Sequence, residues 1–354
     1  MMTPSHKLAL AAGLALAIAL TLSCSGDGGG EPPPSSSSAE ISSSSDGVAA
    51  NPSSSSVSSS SSYACEGWAE SVTTAPTCEA KGVKTLTCTS GPSDTKTEDI
   101  PQLSWSESVT TPATCIAAGV KTLTCPGNAS PAKTEAIAKL EPSSTQLCDA
   151  RDGKLYKFVP IGTGATAQKW MAENLSYDAT GSKCYAEGVS GVSADSVSKN
   201  CAKYGRLYNW ATAMGNSASS TAVPSGVQGV CPSGWHLPSD AEWNALMKSV
   251  NPACSDNSNC AGAGTKLKAA SGWNPSAGVP AGTDEFGFSA LPGGLGASDG
   301  YFLGVGYDGY WWSASELTSN LANYRNMYYD YEYVGYTYDD KDPLFSVRCL
   351  QDSP

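Results

Sequence analysis

The chain has 354 residues, with 21 Lys and Arg against 33 Asp and Glu, and a formal net charge of −12. That balance excludes a nucleic-acid binder, which needs a basic face. Thirteen cysteines beside two histidines point to an oxidising compartment rather than to His-based metal or proton-relay chemistry.

Met1 to Ser23 reads as a signal peptide. His6 and Lys7 precede LALAAGLALAIALTLS, Leu8 to Ser23, which carries no charge. A membrane span needs about 20 apolar residues, so this run suits a signal-peptide core. A small residue before Cys24 and a Gly-rich stretch after it resemble a lipoprotein cleavage box. Thr21 stands where such boxes carry leucine, so release as a secreted protein is the alternative. A lipidated Cys24 anchors the chain to a membrane surface through acyl chains and does not span it. The expected location is the cell envelope, surface exposed.

Residues 24–62 form a linker. Glu31 to Ser62 holds 17 Ser in 32 residues and has too little apolar surface to offset the entropy of ordering. Its root-mean-square reach is on the order of 30 Å, from about 5–6 Å times the square root of its length.

Two repeats follow, over 63–103 and 104–147. WAESVTTAPTCEAKGVKTLTC starts at Trp68 and WSESVTTPATCIAAGVKTLTC at Trp105. Each has a Val-Thr-Thr strand, a Cys, a Gly turn and an alternating GVKTLT strand. Units this small lack a sufficient core, so we expect a local disulfide to staple each one. That pairs Cys78 with Cys88 and Cys115 with Cys125. The remaining expected pairs are Cys184 with Cys201, Cys254 with Cys260, Cys231 with Cys349, and Cys65 with Cys148. No CxxC spacing occurs, so neither zinc nor thiol redox chemistry is expected. The repeats resemble small Trp- and Cys-containing repeats of surface proteins and, faintly, thrombospondin-type modules. A stiff spacer is their expected role.

Residues 148–354 make one domain. Asp152-Gly153 signals a hairpin. YGRLYNWATAM places Leu207, Trp210, Ala211 and Met214 at helical spacing. In LPSDAEWNALMKSV, Ser239 and Glu242 form a capping box. Leu237 and Trp243 have the spacing of a hydrophobic staple, and Trp243, Leu246, Met247 and Val250 form a buried stripe. Beyond lie short Gly-separated strands. Tyr329, Tyr331 and Tyr333 alternate with acids as a two-faced strand. Phe345 to Leu350 is the expected last strand, near the first.

DARDGKLYKFVPIG, WMAENLSY, YGRLYNWATAM, CPSGWHLPSDAEWNAL, GTDEFGFSALPGG, YWWSAS and FSVRCL together resemble the Fibrobacter succinogenes major paralogous domain, a family of exported bacterial proteins. WHLPSDAEW and FSVRC are more distantly similar to the formylglycine-generating sulfatase-modifying family. That likeness implies an α+β, C-type-lectin-like domain with two helices and a twisted, mostly antiparallel sheet. It carries no site across.

His236 is the only histidine beyond the signal segment, and no GxSxG elbow accompanies it. We expect it to be structural, bonded to backbone. Asp240, Glu242, Asp284, Glu285, Asp330 and Glu332 could furnish a glycosidase pair, but the first two sit where acids favour a helix N-terminus. YDDKDP could offer oxygens to calcium, though an exposed acidic loop is the simpler reading. The aromatics are the stronger lead. Trp311, Trp312, Tyr301, Tyr307, Tyr310, Tyr329 and Tyr331 are the ligand-binding candidates, because flat faces beside polar groups suit sugar rings and buried phenols each want a partner. Trp311 and Trp312 must point to opposite faces of a strand, so one is expected in the core and the other exposed or under a loop. The expectation is a non-catalytic surface lipoprotein that binds a glycan or surface protein, with no metal or cofactor. An enzyme acting on glycans or exported proteins, and a structural envelope protein, are the alternatives.

Overall fold

The computed structural model describes residues 64–164 and 167–352. The signal segment, Cys24 and the Ser-rich linker lie outside the described residues.

Each repeat is a three-stranded antiparallel sheet. In the first, β1 (Trp68–Thr74), β2 (Gly82–Cys88) and β3 (Thr95–Ile100) lie in that order. In the second, β4 (Ser106–Thr111), β5 (Gly119–Thr124) and β6 (Lys133–Ile137) repeat the arrangement. The third strand was not legible: TKTEDI and KTEAI show little apolar alternation and are strands because a central strand offers them a free edge. Lys84 on β2 reaches Glu70 at 2.9 Å and Glu98 at 3.4 Å, and Lys121 on β5 reaches Glu107 and Glu135 at the same distances. Such exposed pairs stabilise little, but cross-strand pairs favour this register. Gly82 and Gly119 are required by space, since a Cβ there would lie 2.5 Å from the Pro76 nitrogen and 2.4 Å from that of Ala113.

The cysteines correct the expected staples. Cys65 pairs with Cys88, Cys78 with Cys125, and Cys115 with Cys148. The reason is strand geometry. Cys78 precedes β2 and Cys88 ends it, and a seven-residue strand is about 23 Å long, whereas bridged Cα atoms lie about 4.4–6.8 Å apart. The cysteine before each central strand, Cys78 or Cys115, therefore reaches the next module, and the three bridged loops overlap along the chain. A bond that folds the end of each repeat back on itself recurs as well: Leu103 N donates to Thr77 O, and Leu140 N to Thr114 O, both at 2.9 Å. The other three bridges, Cys184–Cys201, Cys231–Cys349 and Cys254–Cys260, are those expected.

The large domain is α+β. One sheet orders β10 (Trp235–His236), β16 (Leu350–Gln351), β9 (Gln168–Met171), β8 (Leu155–Ile161) and β7 (Gln146–Cys148). The other orders β12 (Phe302–Val305), β11 (Gly293–Gly296), β13 (Asp308–Glu316), β14 (Leu321–Tyr328) and β15 (Gly335–Asp340). Among the described residues there are four α-helices, not two: α1 (Ala194–Tyr204), α2 (Trp210–Met214), α3 (Asp240–Val250) and α4 (Ala263–Leu267). The YGRLYNWATAM helix is shorter than its periodicity suggests. Gly205, at φ 77°, ends α1, and Asn209 caps α2 through a 2.8 Å bond from Thr212 N. Leu207 instead pairs with Lys183 in a β-bridge.

In α3 the capping box forms as read: Glu242 N donates to Ser239 Oγ and Ser239 N to Glu242 Oε2. The staple does not, because Leu237 and Trp243 are buried in different apolar clusters. FSVRCL is mostly not a strand. Only its last residue enters β16, which pairs with β9 and β10 and so lies one strand away from β8, near the first strands of the domain as expected.

Trp311 and Trp312 do point to opposite faces of β13, but neither is exposed. Both are fully buried, Trp311 with Trp170, Trp243 and Phe288, and Trp312 with Tyr208, Tyr310 and Phe345. β13 is an interior strand with a core on each face. Their indole N–H groups are satisfied at Asn174 Oδ1 (2.9 Å) and Tyr208 O (2.7 Å). Asn174 joins four segments. Its Oδ1 also accepts from Arg348 Nε at 2.9 Å, and its Nδ2 donates to Tyr204 O and Ser346 Oγ. Arg348, fully buried, further donates to the carbonyls of Met171, Phe288 and Ser289.

Candidate functional site

Of the seven aromatic candidates, three belong to the core: Trp311 and Trp312, and Tyr310, which stacks on Phe345 at 5.1 Å between centroids. Tyr301, Tyr307 and Tyr331 are exposed, at 69%, 47% and 47%, and Tyr329 is half-buried. Tyr329, Tyr331 and Tyr333 do not form a strand. They lie on the turn between β14 and β15.

That turn is held from beneath by a residue the sequence did not single out. Lys268 is buried and donates to Tyr328 O at 2.5 Å and Tyr331 O at 2.7 Å. Two carbonyls of one short segment on one ammonium favour a turn over a strand. Burial lowers the Lys268 pKa to about 8, with Asp330 and Glu332 opposing. Gly264 of α4 packs where a Cβ would lie 2.6 Å from Tyr333 O, and Thr265 N donates to Glu332 O.

Above Lys268 is a pocket of about 170 Å³, walled by Trp273, Asn274 and Tyr329 among others. The ring of Trp273 lies 4.9 Å from Lys268 Nζ, and its N–H donates to Ala290 O at 2.9 Å. Asn274 N donates to Gly306 O, and Tyr329 N to Tyr307 O at 2.7 Å, so the pocket loop and the aromatic turn are tied to the β12–β13 turn. Tyr307 meets Tyr329 edge-on, centroids 5.0 Å apart. Asp308, beside Tyr307, has its pKa pushed up to about 6 by burial, against a hydrogen bond from Tyr310. Trp273 and Asn274 had one legible signal: a lone Trp-Asn pair within the Gly-, Ser- and Pro-rich run from Ser271 to Gly282, since loops carry binding residues more often than their share.

Several of the remaining candidates are occupied structurally. His236 is bonded not to backbone but between two carboxylates, Nε2 to Glu242 Oε1 at 2.8 Å and Nδ1 to Asp352 Oδ1 at 2.6 Å. Glu242 is thereby held by His236 and by the backbone N–H groups of Ser239 and Ser225. Asp284 accepts from the N–H and hydroxyl of Ser289, and Asp240 from Asn323 Nδ2. In YDDKDP, Lys341 binds Glu316 and Ser319 O. Among the described residues no three His, Cys, Asp or Glu gather as a metal-ligand group.

Burial works against a charge on His236, but the hydrogen bonds and charges of Glu242 and Asp352 outweigh it and raise its pKa. A raised folded pKa adds stability that is complete below the unfolded value of about 6.5 and is lost as pH rises through the folded value. Unfolding free energy, measured from acid to alkaline pH, is expected to fall across that window more steeply in the native chain than in His236→Gln. Identical slopes would show that folding leaves the imidazole's affinity for its proton unchanged.

The family model described as Fibrobacter succinogenes major domain matches residues 163–351. It covers more than half of the chain and contains the pocket, the Asn174–Arg348 junction and most of both cores. The chain belongs to this family. No curated protein and no solved structure matches it. Within the Fibrobacter major domain, most motifs quoted from the sequence are accounted for by folding. WMAENL, GFSAL, YWW and FSVRC converge on Asn174 and Arg348.

Proposed function

We propose that the Fibrobacter major domain of this chain is a non-catalytic binding module for a glycan, displayed from the cell envelope by a lipidated Cys24, the Ser-rich linker and the bridged repeats. We further propose that its α+β framework is C-type-lectin-like. The close pairing of the last strand, β16, with β9 supports that reading. The observation that carries the function is the aromatic surface around the small pocket. Trp273, Tyr307 and Tyr329 offer ring faces and edges, Asn274 offers an amide, and the buried Lys268 fixes the turn that positions Tyr329. The pocket is the size of one sugar ring, so recognition of a single residue or chain end fits better than capture of a long chain.

Covering about 60 Å² of aromatic carbon stabilises a complex by about 1.5 kcal/mol, close to tenfold in affinity. On a panel of neutral glycans and insoluble polysaccharides, Trp273→Ala and Tyr329→Ala are each expected to weaken retention about tenfold, with thermal unfolding checked alongside. Absence of retention by the native, disulfide-bonded chain across the panel would sink the proposal. Release of reducing sugar would favour an enzyme instead.

A further inference from the structure

A second and larger concavity lies beside β8, between the end of α1 and residues 287–291, with a volume of about 670 Å³. Binding clefts for small ligands commonly span about 300–1,000 Å³. Its walls include Lys154, Lys157, Lys203 and Glu173.

Glu173 draws notice because its neighbours are so fully used by the fold. In WMAENL, Trp170, Met171, Ala172, Asn174 and Leu175 are all buried, while Glu173 is half-buried. It makes no hydrogen bond and no ion pair among the described residues. A carboxylate partly withdrawn from water without a donor is costly, and within the fold it meets only the distant charge of Arg348. Lys157 shares a face of β8 with Val159, because alternate residues of a strand point the same way. A Cβ on Gly287 would lie 3.2 Å from Val159 Cγ1, and Gly287 walls the cleft, so Lys157 is turned to it too. Lys157 has no carboxylate partner among the described residues. Lys203, in the last turn of α1, approaches only the ring of Tyr204, at 4.7 Å. Lys154 donates to Ser176 O and Oγ at 2.9 and 2.8 Å. Three lysines, of which Lys154 also lies 4.0 Å from Asp152, and one glutamate thus line a single cleft of a chain whose net charge is −12. Like-signed charges gathered in a cleft focus its field and draw the opposite ion.

We propose that this cleft binds an acidic oligosaccharide, a sugar chain bearing carboxylates. The lysines take the carboxylates, Glu173 accepts sugar hydroxyls, and Val159 and Leu291 meet the ring faces. The site is distinct from the Trp273 pocket, although both adjoin residues 287–291, where Trp273 bonds Ala290 O.

The test is titration calorimetry of the full mature chain with a trigalacturonate and with its carboxyl-reduced, neutral counterpart. The acidic trimer is expected to bind at least about tenfold more tightly, and added salt is expected to weaken it selectively. Lys157→Glu with Lys203→Glu, both exposed positions, is expected to lower affinity for the acidic trimer about tenfold or more and to leave retention on neutral glycans unchanged. Equal binding of the two trimers, binding of neither, or an unaffected double variant would overturn the proposal. So would a double variant that loses neutral-glycan retention as well, because the lysines would then not define a separate site. A Lys157→Gln, Lys203→Gln chain replaces the charge reversal if the latter does not fold.

Discussion

Arg348→Ala is expected to destabilise the Fibrobacter major domain by about 3–5 kcal/mol, the range for removing one partner from a buried charged network. The side chain is fully buried and donates to Asn174 Oδ1 and to three backbone carbonyls, from β9 and from the segment at Phe288 and Ser289. Its aliphatic and guanidinium surfaces cover the ring of Phe288, 4.3 Å away. Removal leaves the carbonyls without donors and a void among them. No carboxylate is bonded to it. Burial works against the charge, with Asp284 and Glu173 opposing only from a distance. Arg348→Lys keeps the charge but cannot span three carbonyls and an amide with one ammonium, so it is expected to lose about half as much. Denaturant unfolding of the oxidised protein measures both. A loss under about 1 kcal/mol in Arg348→Ala would show that the junction is not a keystone, since that is the ordinary range of minor substitutions.

The second large effect is the Cys231–Cys349 bridge. It closes a sequence separation of 118 residues, whereas Cys254–Cys260 closes only 6. In the chain-entropy account the long closure contributes about 5 kcal/mol and the short one about 2. Both cysteines of the long bridge have no exposed surface. Cys349 O also accepts from Met171 N at 3.0 Å, so the bridge clamps the segment that carries β16 into the middle of its sheet. The double variant Cys231→Ala, Cys349→Ala is expected to lose about twice the stability lost by Cys254→Ala, Cys260→Ala. Equal losses would mean that native packing, rather than restriction of the unfolded chain, sets the contribution of these bridges.

Much of the architecture was legible because it rests on local rules. The capping box at Ser239 and Glu242 needs only three residues of spacing, and the stripe from Trp243 to Val250 needs only helical periodicity. The two long strands of each repeat announced themselves by alternation and by recurrence at a 37-residue offset. Three disulfides were read correctly, two of them between near neighbours. Of the aromatic candidates, Tyr329 walls a pocket and Tyr307 meets it edge-on, while Trp311, Trp312 and Tyr310 are core residues.

The errors share one cause. The sequence shows that Trp311 and Trp312 face opposite ways, but not that β13 lies between two cores. The staples at Cys78 and Cys115 looked local because ten residues is a short separation, yet a strand in between keeps its ends apart. The run from Tyr329 to Tyr333 alternates like a strand, and becomes a turn because Lys268, 60 residues earlier in the chain, captures its carbonyls. By itself the sequence determined family membership, the capped helix, the repeat period and an even set of pairable cysteines, all of which depend on neighbours along the chain. Which aromatics reach solvent, which cysteines meet and where Lys157, Lys203 and Glu173 converge were decided by the tertiary structure, because burial and proximity depend on what packs across from each strand.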